Sequence, residues 1–135
     1  MKKISFALVL ILILGMLCSC GGCVKSYAAT LLITSCYGDE ASMKFDTFKG
    51  KYNFKLKRDG TAEHTLDLEA SLDEGEMNIY IGVDGDKELL RTVKSGESYD
   101  ETILLDDKYD NEKTIYVILE STGKCADGEF EFEYN

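Results

Sequence analysis

Along Glu129-Phe130-Glu131-Phe132-Glu133-Tyr134, charged and aromatic residues alternate without a break. A period of two dictates an extended chain with one wet and one buried face, because a helix would mix carboxylates and rings on every side. The pattern recurs. Tyr52, Phe54 and Leu56 oppose Lys51, Asn53, Lys55 and Lys57, while His64, Leu66 and Leu68 oppose Glu63, Thr65, Asp67 and Glu69. Met77, Ile79, Ile81 and Val83 make another one-sided strand, and Leu89 to Val93 and Tyr99 to Leu105 predict two more. Thr114 to Leu119 is apolar on both faces, as in a central or covered strand. Tyr27 to Cys36 is an apolar, β-branched first strand, and Ala41 to Phe48 is compatible with a short strand or a turn of helix. Turn residues separate these runs at Asp59-Gly60, Asp73-Glu74-Gly75, Asp84-Gly85-Asp86 and Lys94-Ser95-Gly96-Glu97, with a polar loop from Asp106 to Glu112. About eight strands so spaced predict an all-β fold, an antiparallel β-sandwich of jelly-roll type; a closed barrel is the alternative.

The N-terminus follows a different rule. Lys2 and Lys3 precede a run from Ile4 to Leu17 broken only by Ser5 and Gly15. Some 14 residues of helix span roughly 21 Å, short of the ~30 Å hydrocarbon core, so the run fits a signal peptide better than a membrane span. Leu17-Cys18-Ser19-Cys20 resembles the lipobox of bacterial lipoproteins: an aliphatic residue, a variable one, a small one, then cysteine. The resemblance implies cleavage before Cys20 and acylation of its thiol. An uncleaved anchor, or ordinary cleavage after Ala28, are the competing possibilities. The expected organisation is a signal peptide over 1–19, a lipid-anchored tether over 20–26 and one sandwich domain over 27–135. The expected location is the extracytoplasmic face of the cell membrane.

Charge narrows the partners. Twenty-five acidic residues face 15 basic ones, a net charge of −10. Such a surface lacks the Lys/Arg clusters that neutralise phosphates, which excludes nucleic acid and predicts repulsion from anionic headgroups. There is no tryptophan to stack on sugar rings, but eight tyrosines could serve.

Gly50-Lys51-Tyr52-Asn53-Phe54-Lys55-Leu56, Gly75-Glu76-Met77-Asn78-Ile79-Tyr80-Ile81, Thr114-Ile115-Tyr116-Val117 and Gly128-Glu129-Phe130-Glu131-Phe132 occur in that order. Together they are similar to the bacterial pre-peptidase C-terminal domains, jelly-roll modules appended to secreted peptidases. The resemblance implies a non-catalytic accessory or binding module outside the cell, and here no enzyme is attached. No binding residue transfers from it.

No catalytic constellation stands out. The one histidine, His64, has leucines for same-face neighbours, and no serine sits in a G-x-S-x-G elbow. No cofactor is expected. Calcium is the sharper question, because hard cations take loop carboxylates. Asp106, Asp107 and Asp110 form the better candidate site, ahead of Asp84-Gly85-Asp86; against both stands an ordinary solvated loop or turn. Outward tyrosines, Tyr80 and Tyr116, could form a ligand face or merely cover sheet surface. Two function classes remain open: a module recognising an extracellular protein or glycan, and a structural or inhibitory lipoprotein acting on an envelope protein.

Cys36 and Cys125 lie inside the expected domain. An exported protein can keep disulfides, and a jelly roll usually sets its first and last strands side by side. That topology predicts a Cys36–Cys125 bridge. Two free thiols, or pairing of one with Cys23, are the alternatives.

Overall fold

The computed structural model describes residues 25–58, 65–83 and 85–135. Cys18, Cys20, Cys23, the Asp59-Gly60 turn, His64 and Asp84 lie outside the described residues. Within them the chain is an all-β antiparallel sandwich of jelly-roll type. Its strands are β1 (Lys25–Thr30), β2 (Ile33–Tyr37), β3 (Glu40–Lys57), β4 (Thr65–Glu74), β5 (Glu76–Val83), β6 (Asp86–Lys94), β7 (Ser98–Leu104), β8 (Thr114–Ser121) and β9 (Cys125–Tyr134), with one 3-10 turn at Asp107–Tyr109. Ala41 to Phe48, ambiguous in sequence, is the first half of β3.

The register shows how the sandwich is made. β3 pairs with β9 over its first half and with β8 over its second. On its other edge it pairs with β2 and then β1. β4 and β5 run on beside β9 and β8, and β7 and β6 run on beside β4 and β5. Five long strands are thus laid side by side, and each bends once near its middle. The front layer is β2, β3, β9, β4, β7; the back layer is β1, β3, β8, β5, β6.

The crease is written in backbone conformation. Leu31, Gly50, Gly75, Gly96 and Gly123, one per long strand, all have positive φ. Gly50 shows why a side chain is excluded: a Cβ there would lie 2.3 Å from the Ser26 carbonyl oxygen on β1. The turns read at Gly75 and Gly96 are therefore bends, and the strands flanking them do not pair with each other. Likewise β3 and β4, on either side of the Asp59-Gly60 turn residues, do not pair, because β9 lies between them. A glycine reports that the chain changes direction, not whether the next strand folds back on the last. Tyr27 to Cys36, read as one strand, breaks at Leu31 for the same reason. β5 and β6, on either side of Gly85, do pair with each other, with Val83 opposite Asp86.

Folding at the crease brings the two inner faces together. Met43, Phe45, Leu66, Leu68, Phe130 and Phe132 of the front layer meet Tyr52, Phe54, Met77, Ile79, Val117 and Leu119 of the back in one buried cluster. Phe54 and Phe132 touch across it with ring centroids 6.3 Å apart. At the open end Arg58 is buried at 3% exposure. It donates to the carbonyl oxygens of Asn135, Tyr109 and Asp110.

Candidate ligand-binding groove

Antiparallel register converts the outer face of the front layer into rows of side chains. One row runs Tyr37, Glu40, Glu133, Asp67, Thr102 across β2, β3, β9, β4 and β7; the next runs Ser35, Ser42, Glu131, Glu69, Asp100. The residues alternating with them, among them Ala41, Leu68 and Phe132, are buried in the core. The layer's outer surface holds a groove of about 510 Å³ along these rows. Carboxylates and hydroxyls line it, with no lysine or arginine, and Tyr37 stands at its end 86% exposed.

Like charges directly opposite across strands repel, and here three carboxylates, Glu131, Glu69 and Asp100, are consecutive. Asp100, then Glu131, raises the pKa of Glu69 above the ordinary carboxylate value. Glu133 is raised first by burial and then by Glu40, Asp39 and Asp67. Asp67 is fixed: Thr102 Oγ1 donates to it at 2.6 Å and Asn135 Nδ2 at 3.1 Å. The result is an array of hydrogen-bond acceptors beside an aromatic face, suited to a ligand rich in donors and unsuited to an anion.

The outer face of the back layer differs in charge. Its rows are Lys51, Glu120, Asn78, Thr92; then Asn53, Ile118, Tyr80, Leu89; then Lys55, Tyr116, Gly82, Lys87. Tyr80 and Tyr116, the tyrosines singled out in sequence, are both half-buried here. The Lys87 ammonium lies 4.4 Å from the Tyr80 ring centroid and 3.2 Å from Glu120. The front face is thus mainly acidic, with Lys44 opposite Glu129 on it, and the back face carries more lysines than carboxylates.

Neither the calcium candidate nor the expected disulfide is assembled among the described residues. Among the described residues no three acidic, histidine or cysteine side chains, Asp106, Asp107 and Asp110 included, are grouped so as to hold a metal ion. The loop is held by other means. Tyr109 is buried and its hydroxyl donates to Glu88 at 3.1 Å, Lys108 pairs with Glu88 at 2.7 Å, and Arg58 takes the Asp110 carbonyl. The Cys36–Cys125 bridge is likewise absent. β3 lies between β2 and β9, with Cys36 opposite Ala41 on one edge and Cys125 opposite Phe48 on the other. Seven positions along a strand separate them by roughly 20 Å, far beyond the ~7 Å limit for bridging.

Sequence reasoning placed Glu129, Glu131, Glu133, Asp67 and Glu69 in water but missed that they share one face. Tyr37, at the end of the groove, gave no signal beyond its place beside Gly38.

No protein-family model matches the chain, and no curated protein matches it. The chain is similar to several solved structures. One is a xylanase 10C variant from Cellvibrio japonicus in complex with xylopentaose, at 14% identity and a TM-score of 0.43, over 83% of this chain and 26% of that one. A variant of the family 29 carbohydrate binding module CBM29-2 gives 15% identity and 0.43, over 84% and 74%. CsCBM6-3 from Clostridium stercorarium in complex with cellobiose gives 14% and 0.38, over 82% and 88%.

Proposed function

We propose that the protein is a non-catalytic lipoprotein of the bacterial cell envelope, whose sandwich binds a glycan without negative charge in the groove of the front layer. One observation carries the reading: a groove crossing the sheet, lined by carboxylates and hydroxyls, free of lysine and arginine, and flanked by an exposed tyrosine. Sugar hydroxyls are donors that carboxylates accept from strongly. A pyranose ring presents C–H groups that fit the face of a phenol. Uronic acids and sulfated sugars would meet repulsion in such a groove. Leu17 to Cys20 supports the anchor: Cys20 would carry the lipid, and the domain would stand outside the cytoplasmic membrane.

The test is a panel of neutral, amino and uronic-acid oligosaccharides presented to the full protein purified from membranes. Retention of neutral or amino sugars, with none of the uronates, is the expected result. Preferential retention of uronates contradicts it. Release of new reducing ends from any sugar would contradict the non-catalytic part. Palmitate incorporation that disappears in Cys20→Ala and survives in Cys18→Ala tests the anchor.

A further inference from the structure

Overall acidity argues that this domain should be repelled by a membrane surface, yet its charge is sorted by face. The second half of β3 carries Lys51, Lys55 and Lys57 along the outer face of the back layer, and Lys87 joins them from β6 in the Lys55 row. Lys55 and Lys57 are exposed. Among the described residues, Lys51, Lys55 and Lys57 make no ion pair; Glu120, the one carboxylate in these rows, is taken by Lys87. Tyr80, Tyr116 and Ile118 lie between the lysines.

The path of the chain brings this face to the anchor. β1 begins at Lys25, opposite Tyr52, and its next residue, Ser26, lies opposite Lys51. Lys25 is only five chain steps from Cys20, with four residues between them. Extended, those steps reach about 17 Å. A domain tethered that closely cannot leave the headgroup region, and the end nearest its tether is the start of the lysine row.

We propose that the outer face of the back layer lies against the anionic headgroups of the bilayer that holds the lipid anchor, with the groove of the front layer turned outward. The proposal rests on acylation at Cys20. The acidic face does not oppose it. Two packed layers with their outward side chains put those carboxylates on the order of 20 Å from the headgroups, more than two Debye lengths of ~8 Å. Each lysine near an anionic surface is worth about 1 kcal/mol, or about fivefold in the contact equilibrium.

The experiment uses the acylated full protein reconstituted into two kinds of vesicle. One is phosphatidylcholine alone; in the other about one-third is replaced by phosphatidylglycerol, an anionic content in the range that attracts basic segments. A membrane-impermeant amine acylating reagent is applied, and labelling is read lysine by lysine by mass spectrometry. The expected result is severalfold slower labelling of Lys51, Lys55 and Lys57 on the anionic vesicles, abolished by raised salt. Lys44 and Lys124, in the front layer and beyond β8, should label equally on both. In the paired variant Lys55→Glu with Lys57→Glu, matched to the parent in melting temperature, protection of Lys51 should vanish. Equal labelling of Lys51, Lys55 and Lys57 on both vesicles overturns the orientation while leaving the anchor intact. An N-terminal peptide at Cys20 without acyl mass overturns the anchor, and the orientation with it.

Discussion

The guanidinium of Arg58 lies 4.3 Å from the centroid of the Tyr134 ring, stacking the residue that follows β3 on the one that ends β9. The Tyr134 hydroxyl donates onward to the Glu112 carbonyl at 2.5 Å. Between them they close the open end of the sandwich, where the 105–113 connection crosses from the front layer to the back.

Arg58→Met keeps the volume but strands three carbonyl acceptors and removes the cation from the ring. Bonds from a charged donor are worth about 1.5–3 kcal/mol each, with partial solvation of the freed carbonyls reducing the total. A loss of about 2–4 kcal/mol, on the order of 10 °C in Tm, is expected. Tyr134→Phe, which removes one hydroxyl donor, should cost about 1 kcal/mol. Thermal melts of both variants check the order; equal melting temperatures for Arg58→Met and the parent would contradict the plug.

Gly128 sits under the Phe45 ring, and a Cβ there would come 2.3 Å from its Cζ. Gly128→Ala should destabilise by about 1–3 kcal/mol, as overpacking does. The double variant with Phe45→Leu should recover part of that loss, because the clash is with one ring. Strictly additive losses in a double-mutant cycle would refute the contact.

The carboxylate rows give stability an unusual dependence on pH. Asp100 and Glu131 raise the pKa of Glu69, and burial with Glu40, Asp39 and Asp67 raises that of Glu133. The folded state therefore binds these protons more tightly than the unfolded chain. Their contribution is fully present below the ordinary carboxylate value and is lost as pH rises through the raised one. Glu88, lowered chiefly by its bond from Lys108, acts oppositely, and its contribution is lost only as pH falls below the ordinary range. Melting temperature should therefore rise as pH falls from about 7 to about 5. The rise should shrink in Glu69→Gln. A steady fall over that interval would contradict the crowding of these rows.

The alternation in Glu129 to Tyr134 and in Lys51 to Lys57 was enough to assign strands, faces and an antiparallel sandwich, because burial of one face is a local property. Which strands pair was not legible. Lys94-Ser95-Gly96-Glu97 has the composition of a hairpin turn, yet Gly96 marks a bend in a strand pair laid along β4 and β5. Pairing depends on contacts between residues such as Asp67 and Glu133, far apart in the chain, and no local pattern encodes them. The groove was hidden for the same reason: its residues come from five strands. The cysteine bridge failed because it was built on an assumed neighbourhood of first and last strands. Digestion without reductant should accordingly yield no peptide linking Cys36 to Cys125, and Cys125, fully buried, should alkylate slowly in native protein.

The central claim is that the front face is where ligand is bound. Isothermal titration of the best neutral oligosaccharide measures it most directly, on the parent, Tyr37→Ala, Glu131→Gln and Tyr116→Ala. The account predicts saturable binding weakened about tenfold or more, ~1.4 kcal/mol, by Tyr37→Ala and by Glu131→Gln. Tyr116→Ala, on the opposite face, should leave it unchanged. Binding that survives both groove substitutions and is lost in Tyr116→Ala would contradict it.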